Sequence, residues 1–229
     1  MLTRVTITGA DDGVEPQRLV DFSGEFPFVE WGILMSTKRQ GTSRYPSHDW
    51  IVALMVATSG TPTQLSAHLC GDYARGAMAG DVTFVDSTFQ RHQINGFTVP
   101  AAKLIALART CPIEFILQVR DEGGLAPACS AATLIGTDTP GRASLLWDPS
   151  GGRGIEADRW PPPLPGVAMG YAGGIKPHTV ESVLRDIGGD APFWIDMESG
   201  VRGADDRFDL DLCRKALEAA QPFLATRPA

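Results

Sequence analysis

Short, continuous runs of apolar residues recur along the chain, and stretches with helical spacing lie between most of them. Runs of this length without alternation favour strands that are buried on both faces, as in a parallel sheet. The pattern predicts eight strands, at residues 5–8, 28–35, 64–69, 90–94, 113–119, 143–147, 167–171 and 193–195.

Helical patterns accompany these strands. Pro16 and Pro100 stand where a first helical turn tolerates proline, and Ser47 is a candidate N-cap. Helices are predicted at 14–22, 50–57, 73–79, 100–109, 126–135, 177–187 and 209–224. Eight strand–helix units in about this length predict an α/β fold, a single (β/α)8 TIM barrel over residues 1–229. An open, doubly wound sheet is the alternative.

Composition and charge exclude some classes of partner. The 229 residues are 43% hydrophobic and carry a formal net charge of −7 without a basic run, which argues against nucleic acid. No apolar stretch approaches the roughly 18 residues of a membrane helix, and the start of the chain has no signal-peptide pattern. The four cysteines are widely spaced, so we expect reduced thiols and a cytoplasmic protein. A monomer and a homodimer both remain open.

Two glycine pairs in the last units predict a phosphate site. Gly173-Gly174 and Ser199-Gly200 each follow an apolar run and precede a predicted helix. Glycine lets the backbone approach an anion, and the N–H groups at a helix start point toward it. Barrels often bind phosphate between these two loops. Either pair alone would pass for ordinary turn residues, but together they favour a small phosphorylated ligand.

Asp148 ends the sixth predicted strand and is followed by the glycine-rich run Gly151-Gly152-Arg153-Gly154. A carboxyl at a partly desolvated barrel mouth is a candidate for proton transfer. The alternative role is to cap that loop. Other polar residues also end strands and are candidates by position alone, among them Asp196 and Glu198 on the eighth.

His68 and Cys70 fall on one side of the third strand if it continues. A metal needs further ligands that no spacing supplies, so no metal and no cofactor are expected. A Schiff-base lyase needs a lysine on a strand. The four lysines lie outside every predicted strand, which disfavours that chemistry: Lys38, Lys103, Lys176 and Lys215.

Five segments in order resemble phosphoribosylanthranilate isomerase, the (β/α)8 enzyme of tryptophan biosynthesis. They are Val5-Thr6-Ile7-Thr8-Gly9, Trp31-Gly32-Ile33-Leu34 with Ser43-Arg44-Tyr45, Leu145-Leu146-Trp147-Asp148 with Gly151-Gly152-Arg153-Gly154, Ala172-Gly173-Gly174-Ile175-Lys176-Pro177, and Ile195-Asp196-Met197-Glu198-Ser199-Gly200-Val201.

The resemblance implies a general acid at Asp148. It also implies a general base at the end of the first strand, where the family has cysteine and this chain has Thr8. A threonine hydroxyl is too weakly acidic for that role. Thr8, Arg44, Gly152 and Arg153 would contact the substrate.

Another group must then supply the base. Asp11 is the first candidate, with Cys70 and His68 next, and related barrels of histidine biosynthesis use an aspartate near this place. Glu198 and Arg202 replace a serine and a glutamate of the family. A carboxylate at 198 beside a phosphate needs Arg202, Lys176 or Arg153 as counter-charge.

The leading hypothesis is an isomerase-like enzyme acting on a phosphorylated sugar or similar small phosphate by acid–base proton transfer. Two alternatives stand beside it: a catalytically retired paralogue that binds a phosphorylated ligand, and a lyase or aldolase on the same scaffold.

Overall fold

The computed structural model describes residues 1–81, 83, 86–99, 101–111, 113–137 and 142–225. Its centre is a closed barrel of eight parallel strands in sequence order, with the last strand hydrogen-bonded to the first. The predicted (β/α)8 TIM barrel is therefore confirmed. The strands are β1 (Leu2–Thr8), β2 (Val29–Met35), β3 (Gln64–Leu69), β4 (Arg91–Ile94), β5 (Glu114–Val119), β6 (Ala143–Trp147), β7 (Ala168–Ala172) and β8 (Phe193–Met197).

Seven α-helices surround the barrel in the part of the chain that the structure describes. None of them is long and apolar enough to cross a membrane. They are α1 (Pro16–Glu25), α2 (His48–Thr58), α3 (Asp72–Met78), α4 (Ala102–Thr110), α5 (Glu122–Gly136), α6 (Val180–Ile187) and α7 (Leu210–Ala220).

The helix starts follow from local chemistry. Ser47 caps α2 by accepting a hydrogen bond from Trp50 N, and Pro16 stands in the first turn of α1, both as predicted. Pro100 lies outside the described residues, and α4 begins at Ala102. The helix predicted from Pro177 begins three residues later, at Val180.

The sixth unit corrects the prediction of eight complete strand–helix units. Residues 148–167, between β6 and β7, are all described and contain no helix. Four prolines between 161 and 165 lack the backbone N–H that a helix interior needs. This segment covers the outside of β7 instead: Tyr171 donates to Pro161 O at 2.8 Å, and its ring meets Trp160 edge-on.

The strands alternate between two buried environments. Outward residues such as Ile7, Leu145 and Ile195 pack in the apolar layer beneath the helices. Inside the barrel, the apolar part is a small cluster of Ile116, Leu146, Ala172 and Trp194. The rest of the interior is polar, which is why the strands carry buried Thr, Ser, His, Arg and Gln at every second position.

An ion network fills the amino-terminal end of the interior. Arg91 donates to Glu30 Oε1 at 2.9 Å and to Glu114 Oε1 at 3.0 Å, and Arg4 donates to Glu30 Oε2 at 3.0 Å. The Arg91 guanidinium also stacks 4.1 Å above the Trp194 ring. Burial alone would raise the pKa of Glu30, but Arg91 and Arg4 hold that pKa below its usual value.

Candidate active site

A pocket opens at the carboxyl ends of the strands, where barrel enzymes carry their sites. It has about 510 Å³ of empty space, including its open mouth. Both predicted phosphate loops and the predicted acid line it together. Its lining is Leu34, His68, Gln93, Asn95, Gln118, Asp148, Ser150, Gly152, Gly154, Ala172, Gly173, Gly174, Ile175, Asp196, Met197, Glu198, Ser199 and Gly200.

The two glycine loops lie side by side in this pocket. A Cβ atom at Gly200 would stand 2.0 Å from Ile175 O, so only glycine allows the loops after β7 and β8 to meet. The backbone N–H groups of Gly174, Ser199 and Gly200 donate to no acceptor within the described ranges. Loop packing accounts for the glycine at 200, and the unused N–H groups leave an edge that can receive an anion.

Asp148 continues β6 into the pocket and is 3% exposed. Its Oδ2 accepts hydrogen bonds from Gln118 Nε2 and Gly152 N, both at 2.7 Å. Its Oδ1 accepts one from Ser150 Oγ at 2.7 Å. Asp148 therefore caps its own loop and also faces the ligand space, so its two proposed roles are compatible. Every polar group that contacts it is a donor.

Asp196, the inward residue near the end of β8, lines the same pocket. Thr8 Oγ1 donates to Asp196 Oδ1 at 2.8 Å, and both side chains are buried. Burial raises the pKa of Asp196 to about 8, and the negative charges of Glu198 and Asp148 add to the rise while the Thr8 hydrogen bond opposes it. A carboxyl of this kind holds its proton at neutral pH.

Thr8 and His68 meet over Gly32 on β2. A Cβ atom at Gly32 would lie 2.2 Å from Thr8 Oγ1 and 2.8 Å from His68 Nε2. His68 lines the floor of the pocket, and its Nε2 lies 3.1 Å from Ser66 Oγ. Burial lowers the pKa of His68 to about 4, so its ring is neutral near pH 7.

The structure does not bring Asp11 and Cys70 into this pocket lining. Asp11 Oδ2 accepts from Arg202 Nη2 at 3.0 Å and from Arg44 N at 2.8 Å. Cys70 Sγ accepts from Asn95 Nδ2 at 3.0 Å, and Asn95 is the residue of this pair that lines the pocket. Burial raises the pKa of the Cys70 thiol, which keeps it protonated and disfavours its use as a base.

Arg44 is the counter-charge of Glu198. Its Nη1 donates to Glu198 Oε1 at 2.7 Å and to Ser199 Oγ at 3.1 Å, and its Nη2 donates to Asp206 Oδ1 at 2.6 Å. Arg44 adopts a backbone φ of 72°, which is unusual for a side chain of its size. These acidic partners raise the pKa of Arg44.

In the described chain, Arg202, Arg153 and Lys176 form no ion pair with Glu198. Arg202 donates to Gly9 O at 2.6 Å and pairs with Asp11. Arg153 is exposed, with its Nε donating to Ser150 O at 2.8 Å, and Lys176 is exposed as well. The counter-charge at Glu198 therefore comes from the second loop, through Arg44.

Sequence reasoning placed Asp196 at the end of a strand but gave it no role, and it passed over Gln118. One pattern could have indicated both residues. Each is a polar residue two positions after an inward-facing residue on a buried strand, so it faces the barrel interior too. Asp196 follows Trp194, and Gln118 follows Ile116, and both Trp194 and Ile116 belong to the inner cluster. This pattern can be used only when the inward face of the strand is known. Strands that are apolar on both faces do not show in their sequence which face points inward.

Comparison with known proteins identifies the architecture. No family model and no curated protein sequence matches the chain. Solved structures do: the TrpF protein of Jonesia denitrificans, with 19% identity and a TM-score of 0.62, covers 96% of this chain and 97% of its own. Phosphoribosyl anthranilate isomerase from Thermus thermophilus has 18% identity and a TM-score of 0.61, with 96% and 99% covered.

A third similar structure has a different name. 3-Hexulose-6-phosphate synthase from Salmonella typhimurium has 11% identity and a TM-score of 0.53, covering 96% of this chain and 99% of its own. The chain is thus a (β/α)8 barrel with the fold of phosphoribosylanthranilate isomerase. At these identities the likeness concerns the fold, and the activity must be argued from the site.

Proposed function

We propose that the protein is an enzyme that moves protons on a phosphorylated sugar or a similar small phosphate, in the manner of a phosphoribosylanthranilate isomerase. One observation carries the proposal. Two carboxyl groups, Asp148 and Asp196, line the same pocket as the loops at Gly173-Gly174 and Ser199-Gly200. A phosphate held on the loops would place the adjoining carbons of the ligand between the two acids.

The two carboxyl groups have different surroundings. Burial raises the pKa of Asp196 to about 8, so Asp196 is the proton donor. The oxygens of Asp148 accept three hydrogen bonds, and Asp148 is the proton acceptor. The resemblance implies that Asp148 is the general acid, whereas here it is the base. Asp196 becomes the second proton-transfer group, in place of Asp11, Cys70 and His68. In an aldose-to-ketose isomerisation, Asp196 protonates the ring oxygen as the ring opens, and Asp148 removes the proton from C2.

Thr8 supports this pair without taking part in proton transfer. Its hydroxyl is committed to Asp196, so it fixes the rotamer of that side chain and limits the rise of its pKa. The family's cysteine would offer a thiol at this position. A chain with Thr8 and a protonated Asp196 has therefore moved its second proton-transfer group from the first strand to the eighth.

A catalytically retired phosphate binder is the second candidate, favoured by the three bonds that tie Asp148 to its own surroundings. The Schiff-base lyase gains no support, because Lys38, Lys103, Lys176 and Lys215 all lie outside the pocket lining and the strands of the described chain.

Isotope exchange separates enzyme from binder. Phosphorylated aldoses and aminoaldoses are incubated with the protein in deuterated water, and label at C2 is followed by NMR and mass spectrometry. Asp148→Asn and Asp196→Asn should each lower the exchange rate by roughly 10²–10⁴-fold while ligand affinity changes little. Asp190→Asn, an exposed aspartate before β8 at the opposite end of the barrel, is the matched control. Ligand binding without any exchange would establish the retired binder.

Complementation of a strain that lacks phosphoribosylanthranilate isomerase tests the substrate. Weak or absent growth is expected, since the usual thiol base is missing. Full growth that depends on Asp196 would identify the standard substrate; full growth that Asp196→Asn preserves would contradict the assigned pair.

A further inference from the structure

One side of the pocket carries polar atoms that the proposed proton transfer does not use. His68 on β3 and Gln93 on β4 are register partners, and both line the pocket. They are 2% and 4% exposed. Neighbouring strands lie about 4.8 Å apart, so the two side chains are adjacent. In the closed barrel of eight strands, β3 and β4 lie opposite β7 and β8, whose loops form the proposed phosphate site.

Each of these two side chains has one polar atom open to the pocket. Gln93 Oε1 and His68 Nδ1 form no hydrogen bond within the described chain. Among the fully enclosed side-chain nitrogen and oxygen atoms of the described residues, those without a partner are His92 Nδ1 and Trp147 Nε1. Gln93 Oε1 and His68 Nδ1 are therefore not fully enclosed, and the pocket is the open space beside them.

The neighbours of Gln93 determine which end of its amide is open to the pocket. The Cys70 thiol donates its only proton to His68 O at 3.6 Å, so its sulfur accepts from Asn95 Nδ2 at 3.0 Å. Asn95 then presents Oδ1 to Gln93 Nε2, which donates to it at 2.7 Å. The oxygen of Gln93 is left free, so this side of the pocket offers an acceptor.

His68 can supply a donor beside that acceptor. Its Nε2 lies 3.1 Å from Ser66 Oγ. When the serine hydroxyl donates to Nε2, the single proton of the neutral ring is on Nδ1, which then donates toward the pocket. The described lining of the pocket contains no lysine or arginine, so an anionic group would find no counter-charge here.

We propose that His68 and Gln93 form a neutral subsite for a hydroxyl group of the ligand whose phosphate rests on the loops after β7 and β8. The inference rests on the proposed function. A hydroxyl can donate to Gln93 Oε1 and accept from His68 Nδ1, whereas a carboxylate only accepts and an ammonium only donates. The ligand is then a sugar phosphate with a hydroxyl group at the end of the pocket opposite the phosphate.

Deoxy sugars test the subsite. Ribose 5-phosphate is compared by titration calorimetry with three analogues that each lack one hydroxyl: 2-deoxyribose 5-phosphate, 3-deoxyribose 5-phosphate and 1,4-anhydroribitol 5-phosphate. We expect at least one removal to weaken binding about tenfold, because it leaves the buried donor and acceptor unpaired. Equal affinity for all four sugars, or binding of inorganic phosphate alone, would overturn the subsite while the phosphate pocket stands.

Gln93→Met removes the acceptor and keeps the length of the side chain. It should bind ribose 5-phosphate about tenfold more weakly, and bind the responsive analogue and inorganic phosphate as the wild type does. A general structural defect would weaken all three. His68→Phe removes the ring nitrogens and should behave in the same way. Gln64→Met, at the start of β3 where the amide donates to Pro27 O, is the matched control and should bind all ligands normally.

A hydroxyl effect that persists unchanged in Gln93→Met and His68→Phe would overturn the role of these residues. Nitrogen-15 NMR of the His68 ring provides a check without ligand. A proton on Nδ1 is expected, whereas a proton on Nε2 would leave two acceptors and contradict a hydroxyl between them. Binding of neither inorganic phosphate nor ribose 5-phosphate would contradict the phosphate pocket and this inference together.

Discussion

Thr8 and Asp196 show how one hydrogen bond can tune a catalytic carboxyl. The Thr8 hydroxyl opposes the rise in the Asp196 pKa that burial produces. Thr8→Val keeps the shape of the side chain and removes the donor. The pKa of Asp196 should then move above about 8, and the alkaline loss of activity should move with it.

Carbon-13 NMR of the aspartate carboxyl groups measures this titration without a substrate. Thr3→Val, on the exposed part of the same strand, is the control and should leave the Asp196 titration where it is. An Asp196 titration that stays unchanged or falls in Thr8→Val would show that the hydroxyl does not act on this carboxyl.

The buried proton of Asp196 also makes stability depend on pH. An aspartate in the unfolded chain titrates near pH 3.9, about four units below the folded value of about 8. Between these two values the folded state holds a proton that the unfolded state has released, so the free energy of unfolding falls as pH rises. Asp196→Asn has no proton to lose, and it should gain stability relative to the wild type from pH 5 to pH 9.

Chemical unfolding at pH 5 and at pH 9 measures this stability difference, with the exposed Asp190→Asn as the control. Parallel pH dependence in the wild type and Asp196→Asn would mean that Asp196 is ionised in the folded protein. The role of Asp196 as proton donor would then fail.

At the scale of elements, the loops after β7 and β8 depend on their close backbone contact. Gly200→Ala would place a methyl group 2.0 Å from Ile175 O, so the two loops must separate. Overpacking of this kind costs roughly 1–3 kcal/mol. We expect a lower melting temperature and weaker binding of inorganic phosphate.

Gly24→Ala in α1 is the matched control, since nothing lies within 4 Å of the new methyl group. Alanine is favoured over glycine in a helix, so this variant should be slightly more stable and bind phosphate normally. Unchanged phosphate binding in Gly200→Ala would remove these loops from the proposed site.

The elements themselves were largely predictable. Seven helices and eight strands follow from apolar runs, prolines and caps, and the predicted bounds of β3 and β6 match the structure. The count of eight strand–helix units was wrong for the sixth unit. No helix was predicted between residues 147 and 167 and none is present there, where residues 161–165 are mostly proline. Asp148, Gly173-Gly174 and Ser199-Gly200 were singled out from their glycine-marked loops, and the structure places them in one pocket, while their roles stay predictions.

Contacts between distant strands were not predictable. Asp196 acquires its proton through burial and through Thr8, 188 residues away in sequence. Arg44 reaches Glu198 across 154 residues. No local pattern indicates such pairs. Asp11 was favoured as a base from its place near the end of the first strand, and its pairing with Arg202, 191 residues away, was not visible in the sequence.

At the scale of the whole molecule, the amino-terminal end of the barrel interior is held by a buried ion network, beside the small apolar cluster. Arg91 on β4 reaches Glu30 on β2, Glu114 on β5 and Trp194 on β8, and is 2% exposed. Arg91→Met fills similar space but leaves Glu30 with less compensation. Removing one partner of a buried ion pair typically costs about 3–5 kcal/mol.

The double variant Arg91→Met with Glu30→Gln separates charge from packing. It removes both members of the pair, so no bare carboxylate stays buried, and replacing a complete buried pair is often close to neutral. We therefore expect Arg91→Met alone to unfold at much lower denaturant and the double variant to recover most of the loss. A double variant as unstable as the single one would mean that Arg91 holds the strands together by packing on Trp194, and that the interior charge is incidental to closure of the barrel.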